Sequence, residues 1–159
     1  MINGAVTIGT LDGANVEIHD SVGDDNILLF GMTTPEVEAL KRNYNPRTFF
    51  NSNPVIRKAV DALNAGFSGV SFSDIADSLL NSDPYMVLAD FDSYDRAQKK
   101  AETLYGDRYN WNRMCLINIA NAGRFAADRA IREYADHIWN AKPVPEKEPA
   151  KHTAFALKK

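Results

Sequence analysis

The sequence predicts an α/β chain in which short parallel strands are followed by several helices. Three observations carry this expectation. Two apolar segments of strand length, residues 5–10 and 26–30, stand about fifteen residues apart, and a parallel crossover needs a dozen or more residues where a hairpin needs two. Residues 85–89, Tyr-Met-Val-Leu-Ala, form a continuous apolar run, the pattern of a strand covered on both faces. Apolar residues at helical spacing then fill residues 93–138 in three blocks.

Met1-Ile2-Asn3-Gly4 reads as the last turn of a helix closing on a glycine, since only glycine enters the left-handed region without steric penalty. A single turn cannot nucleate alone, so upstream turns or an unstructured start are the alternatives here. Residues 5–10 follow as a strand in which Gly9 permits close backbone approach. Asp12-Gly13 leaves two readings open. One is a hairpin with residues 15–18 as the return strand. The other, preferred on the crossover length, is a short helix capped by Asn15 and ended by Gly23 before the strand at residues 26–30.

Thr34-Pro35 predicts a cap followed by a proline at the first helical position, with the helix reaching about Arg42. A turn is expected around residues 46–50. Ile56, Ala59, Val60 and Leu63 share one helical face that Gly66 closes, and Ser73 opens a helix carrying Ile75, Ala76, Leu79 and Leu80. Residues 85–89 are the last predicted strand. The first of the three final helices spans about residues 93–105 and ends at Gly106. The second, carrying Trp111, Met114, Cys115, Leu116, Ile117 and Ile119, has little polar surface and is expected to be buried almost all round. The third places Ala127, Ala130, Ile131, Tyr134 and Ile138 on one side. Residues 141–159 change character, with three prolines and five lysines against two glutamates, and read as a disordered basic tail.

Composition excludes several function classes. A chain of 159 residues with 45% hydrophobic content can bury an ordinary core. Its 18 basic and 21 acidic residues give a net charge of -3, without the basic excess of a nucleic-acid binder. No apolar stretch approaches the roughly 20 residues of a membrane span, and there is no leader pattern, so a soluble cytoplasmic protein is expected. Cys115 is the one cysteine and can form no internal disulfide.

Candidate chemistry within the chain is sparse. His19, His137 and His152 lack metal-ligand spacing. Asp12, Asp20, Asp24 and Asp25 lack the alternation and terminal glutamate of a calcium loop and read as turn and cap residues. Cys115, within an apolar helix, reads as a small hydrophobe. There is no glycine-rich nucleotide fingerprint or P-loop lysine.

Residues 1–18, MINGAVTIGTLDGANVEI, carry a more specific signal. They are followed in order by Phe30-Gly31-Met32, Ala65-Gly66-Phe67, Ala89-Asp90-Phe91-Asp92-Ser93-Tyr94 and Trp111-Asn112-Arg113-Met114. A terminal pattern then runs from Asn118-Ile119-Ala120 through Gly123-Arg124-Phe125 and Asp128-Arg129 to Ile138-Trp139. Together these segments resemble the α-glucan (glycogen/maltodextrin) phosphorylases over residues 1–140. Two hydroxyls that the family commonly places before Asp128 are Ala126 and Ala127 here.

The resemblance implies that residues 1–140 are the C-terminal part of a Rossmann-like lobe of a two-lobed, GT-B-type glycosyltransferase. It implies an activity that transfers a terminal glucosyl unit of an α-1,4-glucan to inorganic phosphate, giving glucose 1-phosphate, with pyridoxal phosphate as cofactor. The lysine that anchors the cofactor in the family falls two positions before Met1, so the chain is expected to be a fragment without activity of its own. No catalytic, direct cofactor-binding or metal residue carries over. Asn3, Gly4, Thr10, Asp12, Gly13 and Asn15 match the segment after that lysine and are expected to hold the lysine-bearing helix against the sheet, or else to serve folding alone. A stand-alone binding or scaffolding module is the alternative function. Exposed apolar faces also predict self-association of the chain.

Overall fold

The computed structural model describes residues 1–144; the tail expected at residues 141–159 lies outside the described residues beyond Val144, and Ala141 to Val144 are irregular and exposed. The fold is mostly helical with one short two-stranded parallel sheet, and it divides into two compact units, Met1–Ala122 and Gly123–Lys159.

In the first unit, β1 (Ile8–Gly9) pairs in parallel with β2 (Leu28–Leu29), with Ile8 opposite Leu28 and Gly9 opposite Leu29. Leu28 N donates to Thr7 O at 2.9 Å and Phe30 N to Gly9 O at 3.1 Å. The crossover is α1 (Ala14–Val22), followed by a 3-10 turn at Asp24–Asn26. The parallel reading of the Asp12-Gly13 segment is therefore the one realised.

Asn15 is not the cap of α1. The helix starts at Ala14 after Gly13, whose φ is 47°, and no side chain caps it. Asn15 instead turns back to the strand, its Nδ2 donating to Thr10 O at 2.9 Å. A Cβ on Gly9 would lie 2.5 Å from that nitrogen, so the glycine provides the space for the contact.

The helical layer begins with α2 (Thr34–Lys41). Its cap is Thr33, one residue earlier than predicted, in a reciprocal box with Glu36: Thr33 N and Thr33 Oγ1 both donate to Glu36 Oε2 at 2.7 Å. The expected turn near Pro46 is a full helix, α3 (Pro46–Ser52), because Asn45 Oδ1 accepts Arg47 N and Pro46 presets the first turn. Asn53 repeats that device for α4 (Pro54–Ala65), accepting Val55 N and Ile56 N, and Gly66 ends it at φ 79°. Then comes α5 (Ser73–Asn81), as predicted. Ile56, Val60, Ala76 and Leu88 form the core of this layer, with Phe49, Leu63, Leu79 and Phe91 packed on them.

Residues 85–89 are not a strand. They belong to the entry and first turn of α6 (Val87–Gly106), which begins six residues before the predicted helix. An apolar run of five residues satisfies a buried strand and a helix entry equally, and length alone cannot separate them. Asp83 decides between them by satisfying the leading N–H groups of the helix, Val87 N on Oδ1 and Leu88 N on Oδ2, each at 2.9 Å.

Capped by Asp107, α7 (Arg108–Asn121) buries only the face of Met114 and Asn118. Near-complete burial of this helix does not occur: Leu116 is 65% exposed, and Tyr109 and Ile119 are exposed too. Its sequence is apolar on several sides, but within the first unit α1, α6 and the turn at Asp24–Asn26 cover only one. Asn118 is fully buried and donates from Nδ2 to Asn26 O at 2.8 Å and Met114 O at 3.0 Å. Cys115 is partly buried.

Within the second unit, α8 (Ala127–Tyr134) continues into a π-helical turn at Ala135–Trp139. Arg129 pairs with Glu133 one turn on, and the rings of Tyr134 and Trp139 pack at 5.8 Å. No helix of the described residues is long and apolar enough to cross a membrane.

Candidate functional site

The carboxyl ends of β1 and β2 open into a groove of about 700 Å³ in the first unit. In open α/β sheets ligands settle outside the carboxyl ends of the strands, because the chain must leave the sheet there and the departing loops form the walls. Thr10, Leu11 and Asp12 supply one wall after β1, and Phe30 and Met32 supply the floor after β2. The first turns of α2 and α6, with the 84–86 turn, complete it.

Three segments distant in sequence meet here. Gly31 N donates to Ser93 Oγ at 3.0 Å and Met32 N to Asp90 Oδ1 at 2.9 Å, tying the end of β2 to α6. A Cβ on Gly31 would stand 2.8 Å from Asp90 Oδ2 and 2.9 Å from Thr10 Cγ2, so Thr10, Gly31 and Asp90 are in closest approach. Gly31 also has φ 83°, which a side chain would resist on its own account. Phe30 and Tyr94 pack edge to face at 5.1 Å across the same junction.

The sequence-predicted residues separate into two places. Thr10, Asp12, Gly13 and Asn15 come together: Thr10 Oγ1 donates to Asp12 Oδ1 at 3.0 Å, Asn15 holds Thr10 O, and Gly13 starts α1. Asn3 and Gly4 lie before the opposite end of β1. There Asn3 Oδ1 accepts Ala5 N at 3.2 Å, and Gly4, at φ 77°, closes a turn on Met1 O. A Cβ on Gly4 would meet Cys115 and Ile119 at 3.3 Å, so this turn rests on α7.

Sequence reasoning assigned no role to Asp90, Ser93 or Asp83. The first two lie in a quoted segment, Ala89-Asp90-Phe91-Asp92-Ser93-Tyr94, but nothing in one sequence shows that its partner is Gly31-Met32, some sixty positions earlier. Asp83 is 2% exposed and also accepts the hydroxyl of Tyr44. Burial first, and the Asp83 carboxylate second, push the Tyr44 hydroxyl well above the ordinary tyrosine range, so it stays a donor.

The electrostatics of the groove oppose an anion. No lysine, arginine or histidine lines it, while Asp12 and Asp90 do. The leading N–H groups of α6 are taken by Asp83, and the Glu36 carboxylate at the entry of α2 accepts Thr33 N and Oγ1 and sets a negative charge where phosphate would need a positive one. These residues do not fit pyridoxal phosphate or inorganic phosphate. The lining is chiefly apolar and aromatic, with Tyr85 at the rim, 85% exposed. Asp83 at φ 35° and Met86 at φ 54° strain the rim turn. Among the described residues no group of three or more His, Cys, Asp or Glu is placed to hold a metal ion.

Comparison with known proteins gives a consistent picture. A family model described as carbohydrate phosphorylase matches residues 1–141. The chain is 49% identical over 148 residues to a glycogen phosphorylase of Synechocystis, covering 90% of this chain and 17% of that protein. It is 39% identical over 155 residues to the muscle form of glycogen phosphorylase from Bos taurus, covering 94% and 18%, and 42% identical over 148 residues to the Bos taurus brain form, covering 90% and 18%. The chain thus spans less than a fifth of the length of these relatives.

Proposed function

Because the chain belongs to the carbohydrate phosphorylase family, we propose that it forms part of an α-1,4-glucan phosphorylase, which transfers a terminal glucosyl unit to inorganic phosphate and releases glucose 1-phosphate. In this reading residues 1–140 are the C-terminal part of a Rossmann-like lobe in a two-lobed, GT-B-type enzyme of the cytoplasm, and residues 141–159 are an appended tail. Pyridoxal phosphate is held by residues of the family protein outside this chain, whose groove has no cation to receive it. The chain alone is inactive, and its own share of the work is positional.

One observation carries the assignment of that share. Thr10, Gly31 and Asp90, from three separate family segments, are packed too closely to admit one extra carbon. Such a lock fixes the 10–15 segment on the sheet, and Thr10, Asp12, Gly13 and Asn15 then brace the cofactor-bearing helix from the far side of the chemistry. Asn3 and Gly4 do so directly from the turn before β1. Supports placed behind reacting groups matter because misplacement by about 1 Å can cost about a hundredfold in rate.

The test is an exchange of parts. The Synechocystis glycogen phosphorylase, with its matching stretch replaced by this chain, should release glucose 1-phosphate from glucan and phosphate. Asp12→Ala and Asn15→Ala in that chimaera should lower turnover and cofactor retention. A folded chimaera without phosphorolysis overturns the activity; unchanged turnover and retention in both variants remove the bracing role.

A further inference from the structure

We propose that the groove at the carboxyl ends of β1 and β2 binds a small organic cation, one that carries a protonated amine or amidine on an apolar, chiefly aromatic body. The inference goes beyond the bracing role above and stands apart from it, since it concerns what fills the groove and not what the walls hold in place. The groove measures about 700 Å³, within the range of roughly 300–1,000 Å³ that encloses small molecules. Its walls divide into an acidic pole and an aromatic one. At the acidic pole Asp12 and Asp90 flank Thr10, whose hydroxyl donates to Asp12 Oδ1 at 3.0 Å and whose methyl carbon stands beside Gly31 with the Asp90 carboxylate. Each acid commits one oxygen, Asp12 Oδ1 to Thr10 and Asp90 Oδ1 to Met32 N. Among the described residues neither Oδ2 takes a hydrogen bond.

The aromatic pole consists of Phe30, Tyr85, Phe91 and Tyr94. Phe30 and Tyr94 hold each other edge to face, so this wall is ordered before a ligand arrives. Aromatic rings pack against an apolar body and attract a cation placed over their faces. The backbone donors around the groove are spent: Asp12 N, Phe30 N, Gly31 N, Met32 N and Val87 N all donate within the fold. With no lysine, arginine or histidine in the lining, the charge the groove offers is negative alone. An anion would meet two acids and no counter-charge. A neutral apolar molecule would shut water away from both carboxylates without giving them a donor, which is unfavourable. A cation with an apolar body satisfies both poles, giving the free oxygens a charged donor and covering the rings.

The test uses the full chain and three probes of one shape: benzamidine, which is cationic, benzamide, which is neutral, and benzoate, which is anionic. In an amide NMR titration benzamidine should shift Leu11, Asp12, Phe30 and Tyr94 to saturation. It should bind about tenfold more tightly than benzamide, the factor that one charge-assisted hydrogen bond supplies, with benzoate weaker than both. Asp12→Asn, at an exposed position, keeps the oxygen that accepts Thr10 Oγ1 and removes the charge. It should lower the preference for benzamidine over benzamide about threefold, as the loss of an exposed ion pair does. Asp90→Asn, where the amide oxygen can still accept Met32 N, should lower it about tenfold. Should Asp90→Asn loosen the end of β2, the three probes on the unaltered chain and Asp12→Asn still decide. Equal affinity for benzamidine and benzamide overturns the proposal, as do shifts confined to residues outside the groove or a preference that survives both substitutions. Groove amides that move with protein concentration in the absence of any probe also overturn it, since a second copy would then be the occupant. Selective benzamidine binding together with a chimaera that fails in phosphorolysis supports the cation site and removes only the activity reading; the reverse outcome removes only the cation site.

Discussion

Asp83 Oδ2 lies 2.9 Å from Leu88 N, five residues ahead of it, and thereby starts a twenty-residue helix without being the residue next to it. The same carboxylate accepts Val87 N and the hydroxyl of Tyr44, so one buried acid joins the loop before α3 to the entry of α6. The residue that borders the helix, Met86, is left-handed and contributes no side-chain cap. Asp83 is thus the anchor of the turn that forms one rim of the groove.

Removing that anchor should be costly. Asp83→Ala leaves two helix N–H groups and the part-buried Tyr44 hydroxyl without their acceptor, and the expected loss is about 3 kcal/mol. Asp83→Asn keeps one acceptor oxygen and should lose roughly half as much. Urea denaturation of the three proteins gives the order; equal stability of Asp83→Ala and the unaltered chain would contradict the role.

Gly31 and Gly13 provide a matched pair. Both have positive φ, but a Cβ on Gly13 meets nothing within 4 Å, whereas on Gly31 it meets Asp90 and Thr10. Gly13→Ala should cost about 1 kcal/mol from backbone strain, and Gly31→Ala about 3 kcal/mol from strain and overpacking. Thermal melts that place the two variants together would show that the Thr10, Gly31 and Asp90 contact yields easily.

Tyr44 makes the stability sensitive to alkali. Its folded pKa is raised above the ordinary value, so the fold favours the neutral hydroxyl. That contribution is complete below about pH 10, where the unfolded chain titrates, and fades as pH rises through the folded value. In an absorbance titration of the six tyrosines, Tyr44 should give a final step above the ordinary tyrosine range, and Tyr44→Phe should delete it. A final step retained in Tyr44→Phe would assign it elsewhere.

Glu36 acts in the opposite sense. Hydrogen bonds from the Thr33 side chain and backbone hold its carboxyl below the usual range. The folded pKa is depressed, so the capping contribution is present above the ordinary glutamate value and is lost as pH falls through the folded one. Carbon-detected NMR titration should show Glu36 titrating below the ordinary glutamate range, and Thr33→Ala should bring it back toward that range.

Particular residues show how far the sequence could be read. The crossover between β1 and β2 was legible because fifteen intervening residues exceed any tight turn. Gly66 marked the end of α4 because its backbone preference acts within a few residues, whereas the start at Pro54 had no reading in the sequence. Residues 85–89 were misread because the signal that makes them helical is the carboxylate of Asp83 folding back, and an apolar run carries no sign of it. Asn15 was misread likewise, since its amide was already committed to Thr10 O.

The amino-acid order by itself determined the family segments and the helix ends marked by glycine and proline, and favoured parallel over hairpin pairing of the two strands, because each depends on neighbouring residues or on chain length between them. Only the tertiary structure decided that Thr10 and Asp12 share a groove with Asp90. It alone decided that α7 covers one face and leaves Leu116 open. These are relations between residues many positions apart, set by which surfaces pack first and what room is left, and no local preference encodes them.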